Sequence, residues 1–309
     1  MKGLVYKSTG SWYSVRSETG DMYDCKIKGK LRLNNINSTN PVVVGDIVEF
    51  VVEEHDLQEI GIIQKIHDRR NYILRKSVNL SKQTHILASN IDILLLVITI
   101  KNPITTTSFI DRFLVSAEAY SVKTILVFNK CDIHDINDEI LLNLFINTYK
   151  RIGYDTIKTS TFSEIGIKEL KKKISGKTIM LGGHSGVGKT SLINSIDTSL
   201  NLKVGNISDQ HFQGKHTTTY AELHDLNNGS KLIDTPGIKG FGLVDFDRQE
   251  IKDFFPEFVK LKSKCKFNNC MHLNEPKCYI KQKIQTDEIS KSRYDSYIQI
   301  INDDNLKHR

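Results

Sequence analysis

Gly183-His184-Ser185-Gly186-Val187-Gly188-Lys189-Thr190 fits the pattern G-x-x-x-x-G-K-[ST]. Glycines in such a loop let backbone N–H groups turn inward around phosphate oxygens, and the following helix offers its positive N-terminus to the same charge. Lys189 is expected to reach the β and γ phosphates, and Thr190 to give its hydroxyl to Mg2+. The context agrees. Residues 177–181 read as an apolar strand, and residues 190–196 read as an amphipathic helix opening on Ser191-Leu192-Ile193. All eight residues of the loop are therefore assigned to a nucleotide.

A second motif lies ahead of the first. Asn129-Lys130-Cys131-Asp132 fits N-K-x-D and follows the strand-like residues 125–128. The Asp132 carboxylate can accept from guanine N1–H and the exocyclic amine, a donor pair that adenine lacks. A site built to hydrogen-bond such a group rejects the analogue without it by roughly 10⁴-fold. Lys130 is expected along the base, with Asn129 tying the loop together. Thr159-Ser160-Thr161 follows another β-prone stretch, and Ser160 is assigned to the base as well. Asp234-Thr235-Pro236-Gly237 fits D-x-x-G, so Asp234 should hold Mg2+ through water and Gly237 should present its N–H to the γ-phosphate. The usual order in GTPases is phosphate loop, D-x-x-G, then N-K-x-D. Here the front piece has moved to the back, as in a circular permutation.

Two further features bear on hydrolysis. Ile238 stands where many GTPases place a glutamine to orient the attacking water, so either hydrolysis is intrinsically slow or another group does that work. Gly214-Lys215-His216-Thr217-Thr218-Thr219 reads as the first switch. One of its threonines, with Thr219 assigned, would complete the Mg2+ shell. His216 would orient the water or act as general base, since imidazole titrates near neutrality; the alternative is a histidine facing solvent. Lys189, Gly237 and His216 are thus the expected catalytic set.

The chain has 309 residues, long enough for two or three domains, with 39% hydrophobic and 26% charged residues. Its longest apolar run, residues 91–100, is far short of the ~20 residues of a membrane span and contains Asp92. The first residues have no apolar signal core, so the protein reads as cytoplasmic, away from membranes. Net charge is +7, which fits an anionic partner, yet no segment is a basic tail. Any nucleic-acid surface would have to come from local patches.

Residues 1–70 read as a small β-domain. Short β-prone runs at 3–6, 12–15, 22–27, 42–44, 47–52 and 60–66 alternate with turn signals such as Thr19-Gly20-Asp21 and Gly45-Asp46. About five strands in this length suggest an OB-fold barrel, with an SH3-like barrel as the alternative. Residues 71–240 alternate strand and helix, which predicts α/β architecture with a mostly parallel sheet. Residues 91–100 form a near-continuous apolar strand covered on both faces. Residues 109–120 are helical, with Phe109, Phe113, Ala117 and Tyr120 on one face. Residues 136–151 form a second helix, and Lys171-Lys172-Lys173 marks a helix end where cations complement the dipole. Residues 241–309 are expected to be helical and irregular, with one helix over 248–255 stopping at Pro256 and another over 288–305.

Three of the five cysteines crowd into that last segment beside a histidine. Cys265-x4-Cys270-x-His272-x5-Cys278 supplies four soft ligands, which suit one tetrahedral Zn2+ and leave no open position for catalysis. The metal is therefore expected to be structural, a staple for a small domain. Lys260, Lys262, Lys264 and Lys266 flank the first ligand, as a phosphate-facing patch or a solvated loop.

A β-barrel, a permuted GTPase and this cysteine module in series resemble the RsgA (YjeQ/EngC) family of ribosome biogenesis GTPases. The resemblance covers nearly the whole chain. It includes Val44-Gly45-Asp46, the motifs above, Phe255-Pro256-Glu257-Phe258, Glu275-Pro276 and Arg293-Tyr294-x-Ser296-Tyr297. Lys215 stands where arginine is frequent in the family, and Thr190 where serine is common. The resemblance implies an OB-fold RNA-binding domain at 1–70, a permuted GTPase domain at 71–240 and a zinc domain at 241–309. It also implies binding to the small (30S) ribosomal subunit and its rRNA late in maturation, with GTP hydrolysis to GDP and phosphate stimulated by that particle, and a role for the residue at His216 in hydrolysis. On this reading the protein acts as a monomer. Residues 234–237 run straight into the cysteine module, so loss of the γ-phosphate would reposition it. The competing readings are a GTP-gated RNA-binding module with negligible hydrolysis, and a permuted GTPase acting on the large subunit or another RNA.

Overall fold

In a computed structural model of the chain, the described residues are 1–27, 41–55, 58–76, 84–200, 221–234 and 246–302. The N-terminal strands are β1 (Lys2–Ser8), β2 (Tyr13–Ser17), β3 (Met22–Ile27), β4 (Ile47–His55) and β5 (Gln58–Ile66). β2 alternates buried and half-buried residues, with Tyr13 and Val15 facing in, as period-2 patterning requires. The ladder runs β1-β2-β3-β5-β4 and closes because β4 also pairs with β1. Only β3 and β5 are parallel within it. This is the five-stranded barrel of an OB-fold, filled by Val5, Tyr13, Val15, Cys25, Val48, Phe50 and Ile63.

Residues 42–44 do not form the strand that their β-branched run suggested. Asp46 is fully buried and draws the chain into a turn: its Oδ2 accepts from Val43 N at 2.8 Å. Only a single bridge, Val44 to Ala88, remains. Arg69 donates to both Asp46 oxygens, at 2.7 and 2.6 Å, and Ser89 Oγ donates at 2.6 Å. Ser89 ends the hairpin of β6 (Tyr72–Lys76) and β7 (Thr84–Ser89). One carboxylate therefore pins the barrel to the segment that follows it.

The central layer is built from β8 (Ile93–Ile98), α1 (Thr107–Ala119), β9 (Thr124–Phe128), α2 (Ile136–Ile152), β10 (Asp155–Lys158), α3 (Ile167–Ile174), β11 (Thr178–Gly182), α4 (Lys189–Ile196), β12 (Glu222–Asp225) and β13 (Lys231–Asp234). Strand order is β10-β9-β8-β11-β13-β12, all parallel except the β12–β13 hairpin. Every residue of β8 is buried, as a strand sandwiched between helices must be. Its Leu94, Leu96 and Ile98 face α1 and α2, while Ile93, Leu95 and Val97 face α3 and α4. The barrel joins this sheet edge to edge through Lys7 of β1 and Glu222 of β12.

The C-terminal part holds α5 (Pro256–Val259), α6 (Tyr279–Gln285) and α7 (Lys291–Asn302). Ile251, Phe255, Phe258, Tyr297, Ile300 and Ile301 form its core around the three cysteines, and Val115 of α1 enters the same cluster. The helix expected over 248–255 is only a 3-10 turn at Ile251–Phe254, and Pro256 begins the next helix. A proline at that first position loses no hydrogen bond, because the N–H it lacks has no partner inside the helix. The fold class is thus the expected one: barrel, permuted α/β domain and a helical module with clustered Cys and His.

Candidate functional site

β11 leads into the phosphate loop and α4 leaves it, with Gly188 as the N-cap in the left-handed region at φ 95°. Lys189 folds back over its own loop, and Nζ donates to the carbonyls of Gly183 at 3.0 Å and His184 at 2.6 Å. An incoming phosphate would compete for that ammonium with far more charge. The His184 ring stacks on Phe109 of α1, with centroids 3.7 Å apart. Burial, with a smaller push from the Lys189 ammonium, holds the imidazole below its ordinary range.

The loop expected to read the base starts where β9 ends. Asn129 is buried, and its N–H donates to Ile98 O at 2.8 Å. Its Nδ2 donates to Val187 O in the phosphate loop at 2.9 Å, and its Oδ1 accepts from Thr159 Oγ1 at 3.0 Å. The approach is close enough to require glycine opposite: a Cβ on Gly188 would sit 2.5 Å from Asn129 Nδ2. Two motifs that lie far apart along the chain are thus bonded to each other. Ser160 Oγ donates to Asp132 Oδ1 at 2.5 Å and accepts from the N–H groups of Phe162 and Ser163 at 3.2 and 3.1 Å. Ser160 therefore aims the carboxylate with its hydroxyl, a contact with Asp132 that the assignment of Ser160 to the base did not include. Lys130, in the left-handed region at φ 62°, donates from Nζ to Asn102 O at 2.6 Å. Asn102 was not legible as a partner, since it lies outside any motif.

Of the two residues expected to hold Mg2+, Asp234 closes β13 and Thr190 is the second residue of α4. β13 runs parallel beside β11, so Asp234 emerges at the same sheet edge as the phosphate loop. Burial pushes its carboxyl above the usual range, with His224 opposing and Glu222 adding to the shift. Asp234 and Thr190 together offer a carboxylate and a hydroxyl, a hard-oxygen donor set of the kind Mg2+ takes. His216, Thr217, Thr218, Thr219, Gly237 and Ile238, on which the switch and hydrolysis expectations rest, lie outside the described residues.

The four soft ligands converge. One donor atom from each of Cys265, Cys270, His272 and Cys278 lies within 4.8 Å of the others, and all four residues are buried. His272 Nδ1 is 3.7 Å from Cys265 Sγ and 3.5 Å from Cys278 Sγ. A tetrahedral Zn2+ at ordinary bond lengths would separate such N and S atoms by about 3.6 Å. Burial drives the Cys270 thiol up to about 12 and His272 down to about 4, so both favour their neutral forms in the absence of a cation. The donor set fits the metal. The loop bearing His272 is held from behind: Glu275 accepts from Met271 N and Leu273 N at 2.7 Å each. Tyr297 and Tyr294 donate their hydroxyls to Met271 O at 2.6 Å and His272 O at 2.7 Å.

One buried cluster had a place in the sequence motifs but no role. Arg293 of α7 is fully buried and forks onto Glu257 of α5, with Nε–Oε1 at 2.7 Å and Nη2–Oε2 at 3.1 Å. Its Nη1 donates to Asp111 of α1 at 2.9 Å, and that same Asp111 oxygen accepts from Tyr149 OH at 2.8 Å. The guanidinium also lies 4.6 Å from the centroid of the Phe255 ring.

Comparison with known proteins agrees with this geometry. The chain matches the family model of the RsgA N-terminal domain over residues 2–63 and that of the RsgA GTPase over residues 66–244. It is 54% identical to a small ribosomal subunit biogenesis GTPase RsgA of Flavobacterium psychrophilum, across 100% of this chain and 95% of that protein. It is 53% identical to the protein so named in Christiangramia forsetii, across 100% and 98%. Among solved structures it resembles YjeQ from Thermotoga maritima, with TM-score 0.79, 32% identity and coverage of 100% and 99%. It also resembles YloQ, described as a circularly permuted GTPase, with TM-score 0.73, 28% identity and coverage of 99% and 94%.

Proposed function

This chain belongs to the RsgA GTPase family and is a hydrolase acting on GTP, and from that premise we propose that it serves late maturation of the small ribosomal subunit. The observation that carries the reading of the site is the bond from Asn129 Nδ2 to Val187 O, which joins the base-reading loop to the phosphate loop. In this reading Asp132, aimed by Ser160, selects guanine, and Lys130 lies along the base. The backbone of residues 183–190 and Lys189 hold the phosphates. Thr190, Asp234 and Thr219 hold Mg2+, which when bound neutralises charge on the β and γ phosphates. Gly237 presents its N–H to the γ-phosphate, and His216 orients the attacking water in place of a glutamine. Cys265, Cys270, His272 and Cys278 hold one structural Zn2+.

The OB-fold barrel at 1–70 and the module at 241–309 grip rRNA, and the domain at 71–240 reads the nucleotide. The protein works as a cytoplasmic monomer. Among the described residues no helix is long and apolar enough to cross a membrane. Co-sedimentation with separated subunits, run with a non-hydrolysable GTP analogue and with GDP, tests the partner. Binding to the small subunit with the analogue, weakened with GDP, is expected, together with faster single-turnover hydrolysis on that particle. Preference for the large subunit, or hydrolysis indifferent to both, would refute the proposal.

A further inference from the structure

α1 touches two regions at once, through opposite faces. Phe109 and Phe113, four residues apart, form one stripe. Phe109 stacks on His184, and Phe113 lies so close to Gly182 that a Cβ there would meet its ring at 2.0 Å. Both contacts fall on the entry to the phosphate loop. Ser108, Asp111 and Val115 form the other stripe at i, i+3 and i+7. Ser108 Oγ donates to Gln299 at 2.7 Å, Asp111 takes the fully buried Arg293, and Val115 packs into the C-terminal core. Phe109 and Asp111 are about 200° apart around the helix. The same α7 that bears Arg293 clamps the cysteine module through Tyr294 and Tyr297.

We propose that Phe109 and Arg293 are positioning residues that couple the phosphate loop to the C-terminal module through α1. The inference rests on the reading of residues 183–190 as the phosphate site. Entry of a phosphate draws Lys189 away from the carbonyl of His184. That carbonyl belongs to the residue whose ring Phe109 stacks on, so the turn holding α1 is rebuilt. α1 is a rigid 13-residue helix, and the ion pair at its far face is sheltered from solvent on both sides. A displacement of α1 therefore cannot be absorbed by side-chain rotation at Arg293, whose fork is fixed by Glu257. It passes to α5 and α7. Linkage makes the coupling reciprocal: whatever loosens the α7 contact must alter nucleotide affinity.

Hydrogen exchange on the full chain, with and without GDP, tests this without any substitution. Amides of α7 and α5 are expected to exchange more slowly with GDP bound, although neither helix bears a residue assigned to the nucleotide. Phe109→Ala should weaken GDP binding about threefold to tenfold and abolish the added protection in α7. Arg293→Lys keeps the charge but loses the fork, and with Phe109→Ala it should give less than the product of the two single effects on GDP affinity. Unchanged α7 exchange in the unsubstituted protein while GDP binds would overturn the coupling and leave the phosphate site intact. Absence of GDP binding would overturn both.

Discussion

In the proposed site, Ser160 is the short side chain that fixes specificity. A carboxylate reads guanine only if both oxygens are presented in the plane of the base, and a free Asp132 would rotate about its last torsion. The Ser160 hydroxyl holds one oxygen at 2.5 Å, while two backbone N–H groups hold the hydroxyl itself. Ser160→Ala removes a charge-assisted bond, worth about 1.5 kcal/mol. GDP affinity measured by calorimetry should fall about tenfold, with a small fall in melting temperature because the N–H groups of Phe162 and Ser163 also lose their acceptor. An equal affinity would mean that Asp132 needs no such support. Asn129 behaves differently. Its amide spends both ends on protein partners, so its role in the site is to join loops rather than to touch solvent.

Elements whose period matched their surroundings were legible in the sequence. β8 read as a doubly covered strand because all six residues are apolar, and the Phe109–Tyr120 face of α1 read correctly from its spacing. What escaped was the opposite face of α1. Asp111 in a helix looks like a solvated charge, and only its partner on α7, 182 residues away, makes it a buried anchor. The misread run at 42–44 has a similar cause, since a buried side chain overrode β-propensity. Asp46 there accepts from one backbone N–H, one guanidinium and one hydroxyl. Asp46→Ala strands Arg69, whose side chain is only 6% exposed. The loss should be about 3–5 kcal/mol, as for other broken buried pairs. Urea denaturation would show it as a lower midpoint, and the joint of barrel and hairpin should give way before the parallel sheet. A shift below 1 kcal/mol would show that the pair is dispensable.

At the scale of the molecule, three cores of different origin share one chain. The barrel and the parallel sheet pack around aliphatic and aromatic side chains. The C-terminal module packs around three cysteines and His272, and burial keeps the Cys270 thiol and the imidazole neutral in the absence of a cation. Metal binding to such donors releases protons and contributes directly to folding. One zinc per chain is expected by metal analysis. Cys278→Ser should lower the melting temperature by roughly ten degrees, with the earliest loss of protection in α6 and α7. An unaltered melting curve would remove the metal from the account.

The central claim is that two loops in permuted order make one guanine-nucleotide pocket. Competitive titration with GDP, ADP and xanthosine diphosphate tests it most directly, using the unsubstituted protein and its Asp132→Asn and Lys189→Ala variants. The account predicts GDP preferred over ADP by roughly 10⁴-fold, a switch of preference to xanthosine diphosphate in Asp132→Asn, and loss of all three in Lys189→Ala. Undiminished GDP binding by Asp132→Asn would contradict it.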